Sequence, residues 1–425
     1  MGEREQKNFM CAAVEQFMQR VRLSRRFSAE EMYESLEGGF QQEGYRQSAD
    51  STEQLLIISL NAIGDNVIYS AFLRELRRNY PYSHITMVVT PLVYPLLETC
   101  PYINRLLKLS YTYTEPFSDY FFRFGEFAVR ELLPHHYDMS ICTQWSDDKK
   151  PINLLAYLSG ARERMGISDK SFLAYLGYNN DIQGIDQWES LLTNSIITPI
   201  ECLHEADRAL HIVEALGNEV KEKKLELWLT AADLHRAGVL TADMQAYIVL
   251  GVGAGAPNRK YPLVQWLQAM TQIYEKYRMP FIICGGRSEA ADGAYIQQRM
   301  PQGSVLNLAG KTTLRETAAL IKGAYCYLGN VTGAMHMAAA LDTPLVTLYR
   351  EAKNRAVAPA GLYSESTRFA PWQAKAVVLQ PEIAKDDCLH TVVYGGCKEN
   401  YAHCIAQITP QEIVAAFDYM AENLC

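Results

Sequence analysis

Five short stretches of this 425-residue chain place polar residues where an apolar, β-rich run hands over to a helical pattern. The first is SLNAIGDNV, with Gly64 and Asp65 at the turn. A carboxylate there is either an N-terminal helix charge, worth ~0.3–1 kcal/mol against the dipole, or a general base for an attacking hydroxyl. In NRKYPLVQW, Lys260 stands just ahead of a helical pattern, where it meets a phosphate as a point charge or belongs to a solvated Lys–Arg pair. GGRSEAADG offers Glu289 to ribose hydroxyls or to the first turn of a helix. GNVTGAMHMAAALDTPLV, residues 329–346, puts Thr332, Gly333 and His336 at a strand–helix junction. The first amides of a helix have no intrahelical partner and point outward together, so this turn suits an anion. His336, one turn into an apolar helix, is either a hydrogen-bonded core histidine or a group that reaches that anion. The fifth stretch, WSDDKK, carries Trp145, Asp147 and Asp148, which bind sugar hydroxyls or solvate a loop.

The elements that must position these residues alternate. LLIISL, ITMVVT, RLLKL and YDMSICTQ read as strands separated by helical patterns, and the scheme restarts with AYIVLGVGAG, FIICGG and AYCYLGN. Strand–helix alternation of this kind predicts a parallel, doubly wound sheet in each half. The expected organisation is a helical N-terminal extension over 1–50, a Rossmann-like half over 51–235 and a second over 245–425, with the last helix packing back on the first half. A linker is expected near LTAADLHRAGVLTADMQ, and the cleft between the halves is the expected ligand site.

Composition narrows the classes. A formal net charge of −8 offers no basic face of the kind nucleic-acid binding needs. No apolar run approaches the roughly 20 residues of a membrane helix, and MGEREQKNF is not followed by the apolar region of a signal peptide. A cytoplasmic protein, at most peripheral at the inner membrane, is the expectation. Six of the ten cysteines (Cys11, Cys100, Cys142, Cys202, Cys284, Cys326) are scattered through apolar or helical segments as small core fillers. Cys388, Cys397 and Cys404 crowd the C-terminus with His390 and His403 nearby. Their spacing is looser than that of standard zinc ribbons, so they are free loop thiols or a structural metal site.

IISLNAIGDNVIYSAFLRELRRNYPYSHITMVV, SGARERMGIS, NRKYPLVQW, ICGGRSE and GNVTGAMHMAAALDTPLVTLY occur here in one order and spacing. Together they resemble glycosyltransferase family 9, the heptosyltransferase-like enzymes, from about Leu55 to the helix near Ala421. The resemblance implies an α/β GT-B fold with two Rossmann-like domains facing a cleft. It also implies an inverting transfer of a heptose or related sugar from a nucleoside diphosphate sugar, ADP-heptose first, to a lipopolysaccharide-type glycan or a protein. Asp65 falls on the family's base. Lys260 and Glu289 fall on the family's donor phosphate and ribose contacts, and Thr332 and Gly333 on its diphosphate turn; beside them Asn330 and His336 are candidates on the donor side, and Gly64, Asn66, Trp145 and Asp147 on the acceptor side. No cofactor is implied for catalysis. The resemblance extends to a similar cysteine cluster, which holds iron in the branch acting on autotransporter proteins, so iron or zinc at Cys388, Cys397 and Cys404 is a candidate. Where the family usually has an acidic residue before Thr-Gly, this chain has Val331, which offers packing only. The rival reading is a catalytically silent nucleotide-binding or oligomeric scaffold. A dinucleotide-dependent oxidoreductase is disfavoured, because neither half carries the full glycine fingerprint with an acidic residue about 20 positions on.

Overall fold

β1 (Gln54–Ser59) is buried from its second residue onward, as a strand covered by helices on both faces must be. This computed structural model describes residues 53–112, 117–144, 149–168, 170–171, 188–242, 244–354, 364–385 and 399–424. The expected helical extension over 1–50 lies outside the described residues.

The first half is built on six strands: β1, β2 (His84–Val89), β3 (Arg105–Lys108), β4 (Met139–Cys142), β5 (Glu163–Ile167) and β6 (Asn194–Ile196). They lie in the order β3-β2-β1-β4-β5-β6, all parallel, with Leu55 opposite Ile85 on one side and Met139 on the other. The second half repeats the order with β7 (Ile248–Gly251), β8 (Phe281–Cys284), β9 (Val305–Asn307), β10 (Cys326–Asn330), β11 (Leu345–Leu348) and β12 (Ala376–Leu379), arranged β12-β11-β10-β7-β8-β9. In each sheet the chain leaves the first strand in one direction and crosses over it for the fourth. The crevice beyond the carboxyl ends of β1 and β4, and of β7 and β10, is therefore a topological switch point.

Among the described residues the α-helices are α1 (Ile63–Ile68), α2 (Ser70–Asn79), α3 (Tyr94–Leu97), α4 (Phe117–Phe127), α5 (Lys149–Leu158), α6 (Glu205–Ala215), α7 (Ala231–Leu240), α8 (Leu263–Tyr277), α9 (Ala290–Gln297), α10 (Leu314–Gly323), α11 (Gly333–Ala340), α12 (Glu365–Arg368) and α13 (Pro410–Asn423). The expected linker is largely helical. In α7, Thr230 accepts from the Asp233 amide while Asp233 accepts from the Thr230 amide, a reciprocal cap that starts a helix in a segment without apolar periodicity. Arg315 of α10 ion-pairs with Asp233 and donates to Thr99 Oγ1 at 2.6 Å, tying the linker to both halves.

α13 corrects one expectation. Ile413, Ala416, Phe417 and Met420 form its apolar stripe and are buried with Ile273, Ile405 and Ile408 in the core of the second half. Tyr277 of α8 donates to Asp418 Oδ1 at 2.7 Å. The stripe faces α8 because the second half's own sheet would otherwise be uncovered there, so the last helix closes its own domain rather than crossing to the first. Cys100, Cys142, Cys284 and Cys326 are buried thiols, as expected of core fillers, and burial pushes Cys100 and Cys284 up to about 12. Among the described residues no helix is long and apolar enough to cross a membrane.

Candidate active site

The turn after β1 is shaped by its two asparagines. Asn66 is fully buried: its Oδ1 accepts from Ser59 Oγ at 2.9 Å, and its Nδ2 donates to the carbonyls of Ala62 at 2.9 Å and Asn61 at 3.2 Å. Asn66, expected on the acceptor side, has its side-chain polar atoms committed to folding the loop on itself. Asn61 Nδ2 donates to Tyr69 Oη at 3.0 Å, and Tyr69 Oη donates to the Thr143 carbonyl at 3.1 Å, which fastens the turn to the end of β4. Asp65 therefore stands half-buried in the first turn of α1, on a backbone held from three sides. Burial, followed by the charges of Asp65 and Glu205, pushes the Tyr69 phenol well above its usual range, so it stays a neutral strut.

On the opposite wall Asn330, wholly buried at the end of β10, is the organiser. Its Nδ2 donates to the carbonyls of Gly253 at 3.0 Å and Val252 at 3.2 Å, and its Oδ1 accepts from the Tyr261 amide at 3.3 Å. The side chain expected to meet the donor is thus spent on fixing these two loops to each other. Glu289 lies against one of those loops: a Cβ at Gly253 would stand 2.9 Å from Glu289 Cγ, so only glycine leaves the carboxylate room there. Glu289 Oε2 accepts from the Gly286 amide at 2.8 Å and its Oε1 from Ser288 Oγ at 2.6 Å. Lys260, at the mouth of α8, pairs with Asp292 of α9, the second acidic residue of the GGRSEAADG stretch. Behind it Arg350 Nη1 donates to Asn258 Oδ1 at 2.5 Å, while Glu365 takes Arg259 at 2.8 Å and Arg350 at 3.2 Å. These ties fix the turn that carries Lys260.

The two walls meet at two glycines. A Cβ on Gly64 would stand 2.8 Å from His336 Cδ2 and 3.7 Å from the Gly333 Cα. One on Gly333 would stand 2.7 Å from Ile63 Cγ2 and 3.4 Å from the Gly64 amide nitrogen. The amino-terminal ends of α1 and α11 are thus in van der Waals contact. Two positive helix ends facing each other repel unless an anion lies beside them. Thr332 begins α11 in extended conformation without using its hydroxyl as a cap; that Oγ1 is 3.5 Å from the buried Tyr327 Oη. Val331 is half-buried and packs against the adjoining core.

His336 is 3% exposed, and its Nδ1 has no hydrogen-bond partner among the described residues. Burial, with the nearby His204 adding to it, pushes its pKa down to about 3, so it works as a neutral imidazole. An unfolded chain takes up this proton near pH 6.5 and the folded one does not. Stability from His336 is therefore complete above about pH 6.5 and is lost as pH falls toward 3. Chemical denaturation between pH 7 and 4.5 should show a slope of up to ~1.4 kcal/mol per pH unit from this group. That part of the slope should be missing in His336→Gln.

Trp145 and Asp147, expected on the acceptor side, lie outside the described residues, as do Cys388 and Cys397. Cys404 is buried with its Sγ 3.6 Å from His403 Nδ1, and among the described residues no group of three or more metal-binding side chains forms.

Two doubly wound halves, joined by a helical linker and meeting where a helix-terminal turn of one faces a carboxylate-bearing turn of the other, make up a GT-B fold. Residues 154–392, more than half of the chain, match glycosyltransferase family 9 (heptosyltransferase), and the chain belongs to that family. It is 25% identical over 373 residues to lipooligosaccharide heptosyltransferase 2 of Haemophilus ducreyi, covering 85% of this chain and 97% of that protein. Among solved structures it resembles a family 9 glycosyltransferase from Veillonella parvula with a TM-score of 0.67 at 18% identity, covering 87% of this chain and 97% of the other. It also resembles the ADP-heptose lipopolysaccharide heptosyltransferase II of Escherichia coli, with a TM-score of 0.64 at 18% identity and coverage of 87% and 98%.

Proposed function

We propose that this enzyme transfers a heptose or closely related sugar, with inversion, from its nucleoside diphosphate sugar, ADP-heptose first, to a lipopolysaccharide-type glycan presented at the inner membrane surface. The observation that carries this is the contact of Gly64 with Gly333 and His336, which sets Asp65 beside the turn that would receive the donor diphosphate. In this reading Asp65 accepts the proton of an acceptor hydroxyl as its oxygen bonds to the anomeric carbon. The bond from that carbon to the phosphate oxygen breaks on the opposite face, and its electron pair leaves with ADP. Amides at the start of α11 and the Lys260 ammonium stabilise the charge that gathers on the leaving group, with no metal in the chemical step. Glu289, backed by Gly253 and Gly285, takes the ribose hydroxyls. A protein acceptor is the main variant of the reading, and a structural iron or zinc bound through Cys388, Cys397 and Cys404 belongs to it as a separate, non-catalytic element.

The family membership and the named relatives favour a working transferase over the silent scaffold. Val331 dries one wall of the donor turn, so the accepted sugar is expected to present fewer hydroxyls there. The deciding experiment is a mass-spectrometric screen of ADP-heptose and of ADP-, UDP- and GDP-hexoses with lipopolysaccharide core acceptors. Turnover of no sugar nucleotide, together with normal ADP binding, would establish the scaffold instead. For Lys260 the expected result is narrower. Lys260→Ala should weaken ADP binding by roughly 1.5–3 kcal/mol, the scale of a hydrogen bond to a charged group, as read by calorimetry.

A further inference from the structure

The halves are held together away from the glycine contact by a cluster of charges buried between them. Glu205, in the first turn of α6, is 3% exposed, Arg208 one turn on is 1% exposed, and Arg368 of α12 is 6% exposed. Arg368 Nε donates to Glu205 Oε1 at 2.7 Å, while Arg208 Nε lies 3.5 Å from Glu205 Oε2 and its Nη2 donates to the Cys202 carbonyl at 3.0 Å. Glu205 thus pairs with a guanidinium from each half. Around it, His204 accepts the Ala206 amide at Nδ1, donates from Nε2 to the Ala370 carbonyl at 2.9 Å and stacks on Trp372 at 4.4 Å. Trp372 Nε1 donates to the Lys223 carbonyl at 2.7 Å.

This cluster is connected to the candidate site. Phe369, the residue after Arg368, meets the His336 ring edge-on at 6.4 Å, and its carbonyl accepts from the buried Tyr349 hydroxyl at 2.6 Å. The segment that carries Arg368 therefore also supports the histidine that touches Gly64. An ion pair between two hinged bodies acts selectively on their closed arrangement. When the bodies part, both charges return to water at little cost. When they close, a missing partner leaves the other charge buried and uncompensated.

We propose that the Glu205–Arg368 pair is a latch between the two halves that seats α1 against α11 and so makes Glu205 a positioning residue for Asp65. The link to Asp65 rests on the function proposed above; the latch itself does not. Hydrogen exchange on the full chain, without substrate, tests it. In Glu205→Gln two guanidinium groups lose their shared carboxylate, so amides of residues 63–68 and 333–340 should exchange about 10-fold faster or more, while β1 and β7 keep their protection. Arg368→Met should give the same pattern more weakly, because Glu205 still faces Arg208, and Arg368→Lys should restore most of the wild-type protection. In turnover assays Glu205→Gln should lower kcat/KM about as much as it opens the tips, leaving the pH profile set by Asp65 in place. Unchanged exchange at both tips in Glu205→Gln would overturn the latch, and so would equal loss of protection in the sheets, which would make the cluster a general stability element. Should Asp65→Asn prove fully active, the assignment of the base fails while the exchange result still decides the latch.

Discussion

Asp65→Asn is expected to lower turnover by about 10²-fold or more, with ADP affinity close to that of the wild type. Asparagine keeps the shape of the carboxylate and its place in the first turn of α1, so the loop held by Asn61, Asn66 and Tyr69 should be undisturbed. What is lost is the capacity to accept a proton. Without it the attacking hydroxyl must shed its proton to water, and the oxygen remains a weak nucleophile while the bond to the phosphate lengthens. Because the donor diphosphate is assigned to the other half, ground-state binding should not follow the loss of rate. Single-turnover kinetics beside calorimetry separates the two quantities. Near-normal turnover in Asp65→Asn would remove Asp65 from its role and return it to the service of the helix dipole.

The strand–helix alternation, its restart in a second half and the parallel, doubly wound sheet of each were legible in the sequence, whereas the order of strands within a sheet was not. Runs such as LLIISL and FIIC are continuous and β-branched because helices cover both faces of each sheet, and the glycines at their ends announce the turns. The less legible features depend on contacts across long separations. Nothing local marks the amides of Asn66 and Asn330 as loop struts, because that depends on whether nearby carbonyls consume them. Asp292 lies 32 residues from Lys260, and Glu205 lies 163 from Arg368. Both pairs join separate elements, and their acidic members look in sequence like ordinary first-turn helix carboxylates. The packing of α13 is hidden for a related reason: an amphipathic pattern shows that a helix has a buried face but not which sheet lacks a cover. The tyrosine at 327 is similar. It reads as one more strand aromatic, yet its ring lies over Gly251 and Gly329, which explains two glycines that have no turn to make.

Gly64 is the position where a small change should have a large effect on rate and little on folding. Its backbone is ordinary helical backbone and valine is a slightly better helix former than glycine, so the substitution should cost α1 nothing in propensity. The first half would fold as before. The added Cβ, however, would stand 2.8 Å from His336 Cδ2, and that ring is buried on a helix whose next residues are core on every side. The imidazole cannot swing aside as an exposed side chain could, so the strain is relieved by moving the halves apart. A separation of about 1 Å between the base and the donor turn is enough to cost on the order of 10²-fold in turnover, since the in-line geometry is lost. Gly64→Val should therefore fall to near the rate of Asp65→Asn, with its melting temperature and ADP affinity retained and its radius of gyration slightly increased. Gly64→Ala should lie between that variant and the wild type. A fully active Gly64→Val with unchanged dimensions would mean that catalysis occurs with the halves further apart than they stand here, and the contact between α1 and α11 would then belong to a resting state.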